Sequence, residues 1–183
     1  MRNSLIILGV LEDLDIDWFA RVGKTQALQE GETLIEEGVH LDSLGIILEG
    51  SLKVTTLANP EKSLSTLYPG EIVGEVSFLD SRPPAVTLIA LEQTNVLKVS
   101  RRDLSAKLRT DANFGSRFYK AIGVCLAQRL IHLTQTTLTA GNIKAAEAQN
   151  EDDDLSIVDP DVLEAVSLAG RRFEYLIERS RKH

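Results

Sequence analysis

Between Gln26 and Val99 the sequence is cut by glycine into apolar runs too short to be helices. The runs "TLIEEG", "LGIILEG", "SLKVTTL", "AVTLIAL" and "NVLKVS" follow one another in order, and "LSTLYPGEIVGEV" is two such runs joined at Pro69 and Gly70. The breaks fall at Gly31, Gly38, Gly50, Gly70 and Gly74. Several short strands at this spacing make an antiparallel sandwich, barrel or jelly roll rather than a parallel α/β sheet. The expected class is therefore mostly β with flanking helices, and the β part spans residues 26–100.

Both flanks read as helical. In "LEDLDIDWFARVG" the residues Leu11, Leu14, Trp18 and Val22 recur every three or four positions, with aspartates early and Gly23 just past the end, which predicts a short amphipathic helix. The preceding "LIILGVL" is too short for a membrane span and lacks a signal-peptide pattern. It is expected to pack on the domain, so residues 1–25 form an N-terminal segment and helix. Ser100 is placed to cap the helical turn that opens residues 101–140.

A long helix is expected over about 114–136, where Phe118, Tyr119, Ala121, Ile122, Cys125, Leu126, Leu130 and Leu133 cover more than one face. Val124, Ile131 and Leu138 repeat every seven residues on a side shared with Arg117, Lys120, Gln128 and Gln135. That seam points to pairing with a second copy; scattered surface apolars are the other reading. Residues 141–160 read as an acidic linker. Residues 161–183 regain helical periodicity as one or two short helices that dock on the body or on a partner subunit.

With 183 residues, 43% hydrophobic and 26% charged, the chain suits one buried core. A net charge of −7 argues against a protein spread over nucleic acid, which needs clustered cations. The basic group Arg171, Arg172, Arg179, Arg181 and Lys182 lies in a single helix rather than a helix-turn-helix, and reads as a solvated face or a contact for an acidic partner. Cys125 is the single cysteine and reads as core, which leaves no disulfide to indicate an oxidising compartment. A cytoplasmic protein without membrane or nucleic-acid contact is expected. His40, His132 and His183 stand alone in different elements, so no metal cluster, catalytic triad or enzyme is expected.

Taken in order, "EGETLIEEG", "LGIILEGSLKV" and "LYPGEIVGEVSFLDSRPPAVTLIALEQTNVLKVSRRDL" resemble the cyclic nucleotide-binding domain family, that of the bacterial catabolite activator and the kinase regulatory subunits. The likeness covers about residues 11–135. It implies a β jelly roll with an N-terminal helix and a long C-terminal helix. It also implies that "GEVSFLDSRPPAVT", residues 74–87, is the phosphate-binding cassette.

A cyclic nucleotide offers a phosphodiester and a ribose hydroxyl on one edge. Backbone N–H groups at a helical turn, a carboxylate and an arginine fork would meet it. By resemblance Gly74 gives close backbone approach, Glu75 the carboxylate, Val76 and Ser77 the turn, and Ala85 and Val86 the closing backbone contacts. Thr87 matches a position whose hydroxyl reaches a purine edge. The family's phosphate arginine falls at Pro84 here, which removes a contact of about 1.5–3 kcal/mol, roughly ten- to a hundredfold in affinity. Arg82, two residues earlier, is the stand-in to consider.

The resemblance implies a non-catalytic regulatory protein with cyclic AMP or cyclic GMP as possible ligand and no other cofactor. It is expected to be a homodimer that acts on an unidentified protein partner. A ligand-free scaffold or adaptor on the same fold is the alternative; a transcription regulator and a cupin-type metalloenzyme rank below it.

Overall fold

The computed structural model describes residues 6–142 and 160–181. Two helices, α1 (Ile6–Val10) and α2 (Asp13–Val22), lead into β1 (Lys24–Leu28), β2 (Thr33–Ile35), β3 (Ser43–Glu49), β4 (Leu52–Thr55), β5 (Ser65–Leu67) and β6 (Ile72–Val73). A short helix, α3 (Glu75–Asp80), precedes β7 (Thr87–Ala90) and β8 (Thr94–Ser100). Then follow α4 (Arg101–Thr110), α5 (Ala112–Asn142) and α6 (Pro160–Ser180). The strands form two antiparallel sheets of four, ordered β1-β8-β3-β6 and β2-β7-β4-β5. This is the jelly roll with flanking helices that the family resemblance implies; the glycine spacing alone left sandwich, barrel or jelly roll open.

The unbroken apolar run of β3 has a direct cause. Its sheet is covered on both faces, so alternate side chains enter different cores. Leu44, Ile46 and Leu48 join the helices, whereas Ile47 joins the layer between the sheets. The neighbouring β8 repeats the division, with Leu97 and Val99 towards the helices and Val96 between the sheets. Sheet packing is close: the gap lined by Leu34, Ile35, Leu41, Ser43, Gly45, Val73 and Lys98 measures about 10 Å³.

On the helical side, α1 lies against α5 and α6, and α2 against α6. Trp18 and Phe19 of α2 meet Phe114 of α5 with ring centroids 5.3 and 6.1 Å away, and Phe114 stacks on Phe118 at 5.7 Å. The expected inward stripe of α2 is corrected at Leu14, which is 76% exposed; Ile16, Trp18 and Phe19 are buried instead. Beside Leu14 the inward place is taken by Asp15, a buried carboxylate that accepts from Arg117 Nε at 2.7 Å and from Arg117 Nη2 at 2.9 Å. Arg117 therefore belongs to the contact with α2, not to an outward seam of α5.

The C-terminal residues form one helix of 21 residues, α6, seated on the N-terminal helices of the same chain. Ala169 and Leu176 are fully buried there. Two residues of the basic group, Arg172 and Arg181, find acidic partners within the molecule. Arg172 Nε reaches Asp13 at 2.6 Å and its Nη1 donates to the Leu8 carbonyl at 3.1 Å, while Arg181 pairs with Glu49. The expected linker lies mostly outside the described residues, as do Leu138 of the proposed seam with respect to its side chain and Lys182 entirely.

Burial pushes the Asp15 carboxyl up, but the Arg117 guanidinium and the Glu12 backbone N–H together hold it below its ordinary value of 3.8. A carboxyl depressed by folding contributes stability above its unfolded pKa, and that contribution is lost as pH falls through the lower folded value. Asp15→Asn is expected to be less stable than the parent at neutral pH yet to lose less stability below about pH 4, measured by urea unfolding across pH. Equal acid sensitivity of the two proteins would contradict this. Arg117→Ala leaves Asp15 buried without its cation and should cost about 3 kcal/mol.

Candidate ligand-binding site

The stretch from Gly74 to Thr87 is organised by its first residue. Gly74 caps α3 with φ 83°, and a side chain there would lie 2.5 Å from Leu41 Cδ2 and 3.1 Å from the Ser43 carbonyl. Only glycine combines that backbone angle with that closeness. The chain then turns through six helical residues, with Phe78 N–H donating to the Gly74 carbonyl at 3.0 Å and Ser81 N–H to the Ser77 carbonyl at 3.0 Å. Ser81 has φ 61°, so the turn ends as it begins, in the left-handed region.

Glu75 is the chemically distinctive residue. Its side chain is 2% exposed and ion-paired with Nη1 of Arg129, which projects from α5. Nη2 of the same arginine donates to the Ile72 carbonyl at 2.6 Å. One guanidinium thus joins the end of β6, the start of α3 and the middle of α5. Burial pushes the Glu75 carboxyl above its usual range, and the Arg129 charge pulls against that. Such a group gains strongly from any further donor, because a buried carboxylate has little water to satisfy its lone pairs.

The other expected site residues have distinct environments. Ser77 is buried, and its carbonyl accepts from Arg101 Nη1 at 3.0 Å; Val76 is exposed. Arg82 turns to solvent, its side chain 82% exposed and paired with Asp80 at 2.6 Å. Pro84 uses its carbonyl to accept from Gly38 N–H at 2.8 Å. Ala85 is exposed, and Val86 packs against the core between the sheets. Thr87 is buried with its hydroxyl accepting from Glu37 N–H at 3.1 Å.

The β2–β3 turn therefore seals the second half of the segment while α3 and α5 frame the first. Among the described residues no group of three or more His, Cys, Asp or Glu could hold a metal ion.

Two arginines escaped the reading of the sequence. Arg129 lies 54 residues from Glu75, but it comes one helical turn after buried Cys125. An arginine on an inward face is the available signal, since it needs an acid or carbonyls to meet. Arg101 immediately follows the capping Ser100, and nothing local marks it.

Residues 25–111 match the family model described as Cyclic nucleotide-binding domain. With the two-sheet roll, the Gly74–Glu75 turn and the long helix behind it, this part of the chain is a cyclic nucleotide-binding domain. It is 29% identical over 114 residues to the Cyclic AMP receptor protein of Thermus thermophilus, covering 60% of this chain and 51% of that protein. To the cAMP-dependent protein kinase regulatory subunit of Dictyostelium discoideum it is 31% identical over 97 residues, covering 48% and 30%. The chain thus spans about half, or less, of these curated relatives. A crystal structure of a cyclic nucleotide-binding domain from Methylobacillus flagellatus has the same fold, with TM-score 0.61 and 19% identity, covering 81% of this chain and 85% of the other.

Gly74→Ala forces a side chain into Leu41 at an unfavourable φ, so a loss of about 1–3 kcal/mol is expected in urea unfolding. An unchanged midpoint would show that the turn is not constrained as described.

Proposed function

We propose that this chain is a non-catalytic regulatory module that takes a cyclic nucleotide, cyclic AMP or cyclic GMP, at residues 74–87 and passes the event to a protein partner. The observation that carries the reading is the buried Glu75 on the Gly74 turn, already bonded to α5 through Arg129. Its carboxylate suits the ribose hydroxyl, and the N–H groups opening α3 suit the phosphate. A ligand that bonds to Glu75 changes the setting of Arg129, so it acts on α5 by differential affinity for two arrangements of that helix.

Arg82 is the natural supplier of the missing phosphate contact. It gives up only an exposed ion pair with Asp80, and such pairs are weak. A second reading, a scaffold that takes no ligand, is favoured by another observation: the Glu75 carboxylate, the Pro84 carbonyl and the Thr87 hydroxyl all have partners within the chain.

Calorimetric titration with cyclic AMP and cyclic GMP separates the two. The sensor reading expects saturable heat below about 1 mM, a Glu75→Ala protein weakened by about tenfold or more, and a similar loss in Arg82→Ala. No heat from either nucleotide would leave the scaffold; full affinity in Arg82→Ala would remove that residue from the site.

The module is proposed to work as a homodimer through α5. Tyr119, Leu130, Ile131 and Leu133 of that helix are 51–65% exposed, an apolar surface that a second copy would cover. Ile131→Asp is expected to convert a dimer to a monomer in sedimentation velocity, and a parent that is itself monomeric would contradict the proposal. No described helix is long and apolar enough to cross a membrane.

A further inference from the structure

Arg101 is the first residue of α4, yet its guanidinium is spent on α3. Nη1 donates to the Ser77 carbonyl at 3.0 Å. Nη2 donates to the Phe78 carbonyl at 3.0 Å and meets the Ser81 hydroxyl oxygen at 2.7 Å. The guanidinium carbon lies 5.2 Å from the Phe78 ring centre.

The last carbonyls of a helix lack partners within it, and a short helix of six residues has few bonds of its own. Here the Ser77 carbonyl, which also accepts from Ser81 N–H at 3.0 Å, and the Phe78 carbonyl both receive donors from more than 20 residues downstream, supplied by one planar group.

The backbone of Arg101 is fixed as well. Its N–H donates to the Asp42 carbonyl at 2.7 Å, beside the start of β3. The preceding Ser100 accepts from Asp103 N–H at 3.1 Å and so locks the first turn of α4. At the far end of α4, Asp111 Oδ1 accepts from Phe114 N–H at 2.9 Å, and the Lys107 ammonium lies 5.2 Å from the Phe114 ring centre. Phe114 in turn touches Trp18, the single tryptophan of the chain, with centroids 5.3 Å apart. A continuous set of contacts therefore runs from the end of α3 through α4 to the base of α5.

We propose that Arg101 is a positioning residue for the candidate ligand site: it latches the C-terminal end of α3 to the first turn of α4, so that a change in α3 is delivered to α4 and thence to Phe114. The latch is distinct from the Arg129 contact. Arg129 holds the first residue of α3 to α5, and Arg101 holds its last turn to α4. A lysine cannot replace the fork, because one ammonium cannot address the same carbonyls in a plane. The delivery of a ligand signal rests on the regulatory reading above, whereas the latch itself does not.

The test uses Arg101→Gln and Arg101→Lys in the full chain. Amide hydrogen exchange without ligand is the first arm. In Arg101→Gln the Phe78 and Ser81 amides should exchange about tenfold faster or more, while those of Val96 and Val99 stay within about twofold of the parent. Arg101→Lys should fall between the two. Unchanged exchange at Phe78 and Ser81, or equal acceleration across the β roll, overturns the latch.

The second arm follows Trp18 fluorescence with cyclic AMP and cyclic GMP. Arg101→Gln, compared with the parent when both are saturated, should lose at least about half of the fluorescence change. A support that served folding alone would lower affinity and leave the response of the bound protein intact. A full response at saturation in Arg101→Gln therefore overturns the delivery role. A parent that binds neither nucleotide removes the ligand-sensing role, and the exchange arm still decides the latch.

Discussion

The Arg129 fork on Glu75 and the Ile72 carbonyl is the contact on which the ligand-site region depends. Glu75 is removed from water, and a carboxylate in that position is costly unless a cation and donors surround it. Among the described residues α5 brings such a cation close, in Arg129. The ion pair therefore fixes where α5 crosses the sheet, how β6 ends and how α3 begins. The edge-on contact of Phe78 with Phe118, 5.9 Å between centroids, fastens the same helix to α5 a turn further on. A segment with only six helical residues gains a rigid setting from side chains that belong to other elements.

That setting is possible because one sheet of the roll has helices behind it. Strands β3 and β8 send alternate residues to the inter-sheet layer and to the helical layer, so the helices rest on the sheet whose edge strand β6 leads into the candidate site at Gly74. Buried Asp15 with Arg117 fixes α2 to α5 from the opposite side, and α6 covers α1 and α2 with its own ion pairs. The result is a helical layer held at several charged points over a β roll. Any change in α5 has to be taken up at those points, which makes them the places to look for the two arrangements a regulatory module requires.

The β roll was legible because its signals are local. Gly31, Gly38, Gly50, Gly70 and Gly74 all adopt φ between 78° and 89°, which other residues avoid, so the sequence had to place glycine there. Ser100 declared itself as a cap in the same way. The helical face was harder to read. Periodicity put Leu14 inside with Leu11, Trp18 and Val22, but Asp15 is buried beside it through a pair with Arg117 that spans 102 positions. The docking of α6 within the chain was equally hidden, because Arg172 and Asp13 are 159 residues apart. Of the candidate site, the Gly74–Glu75 turn could be read, and its two arginine supports could not. Helical spacing registers apolar residues, and both Arg101 and Arg129 act as cations whose acceptors are known only once the chain has folded.

The central claim is that a cyclic nucleotide at the Gly74–Glu75 turn and the arginine on α5 answer to one another. Nitrogen-15 NMR that follows the Gly74 amide and the Arg129 side-chain Nε–H during one cyclic AMP titration tests this most directly. The account predicts that both signals shift with the same apparent affinity. A Gly74 signal that moves while Arg129 stays unchanged, or a titration in which neither moves, would contradict it.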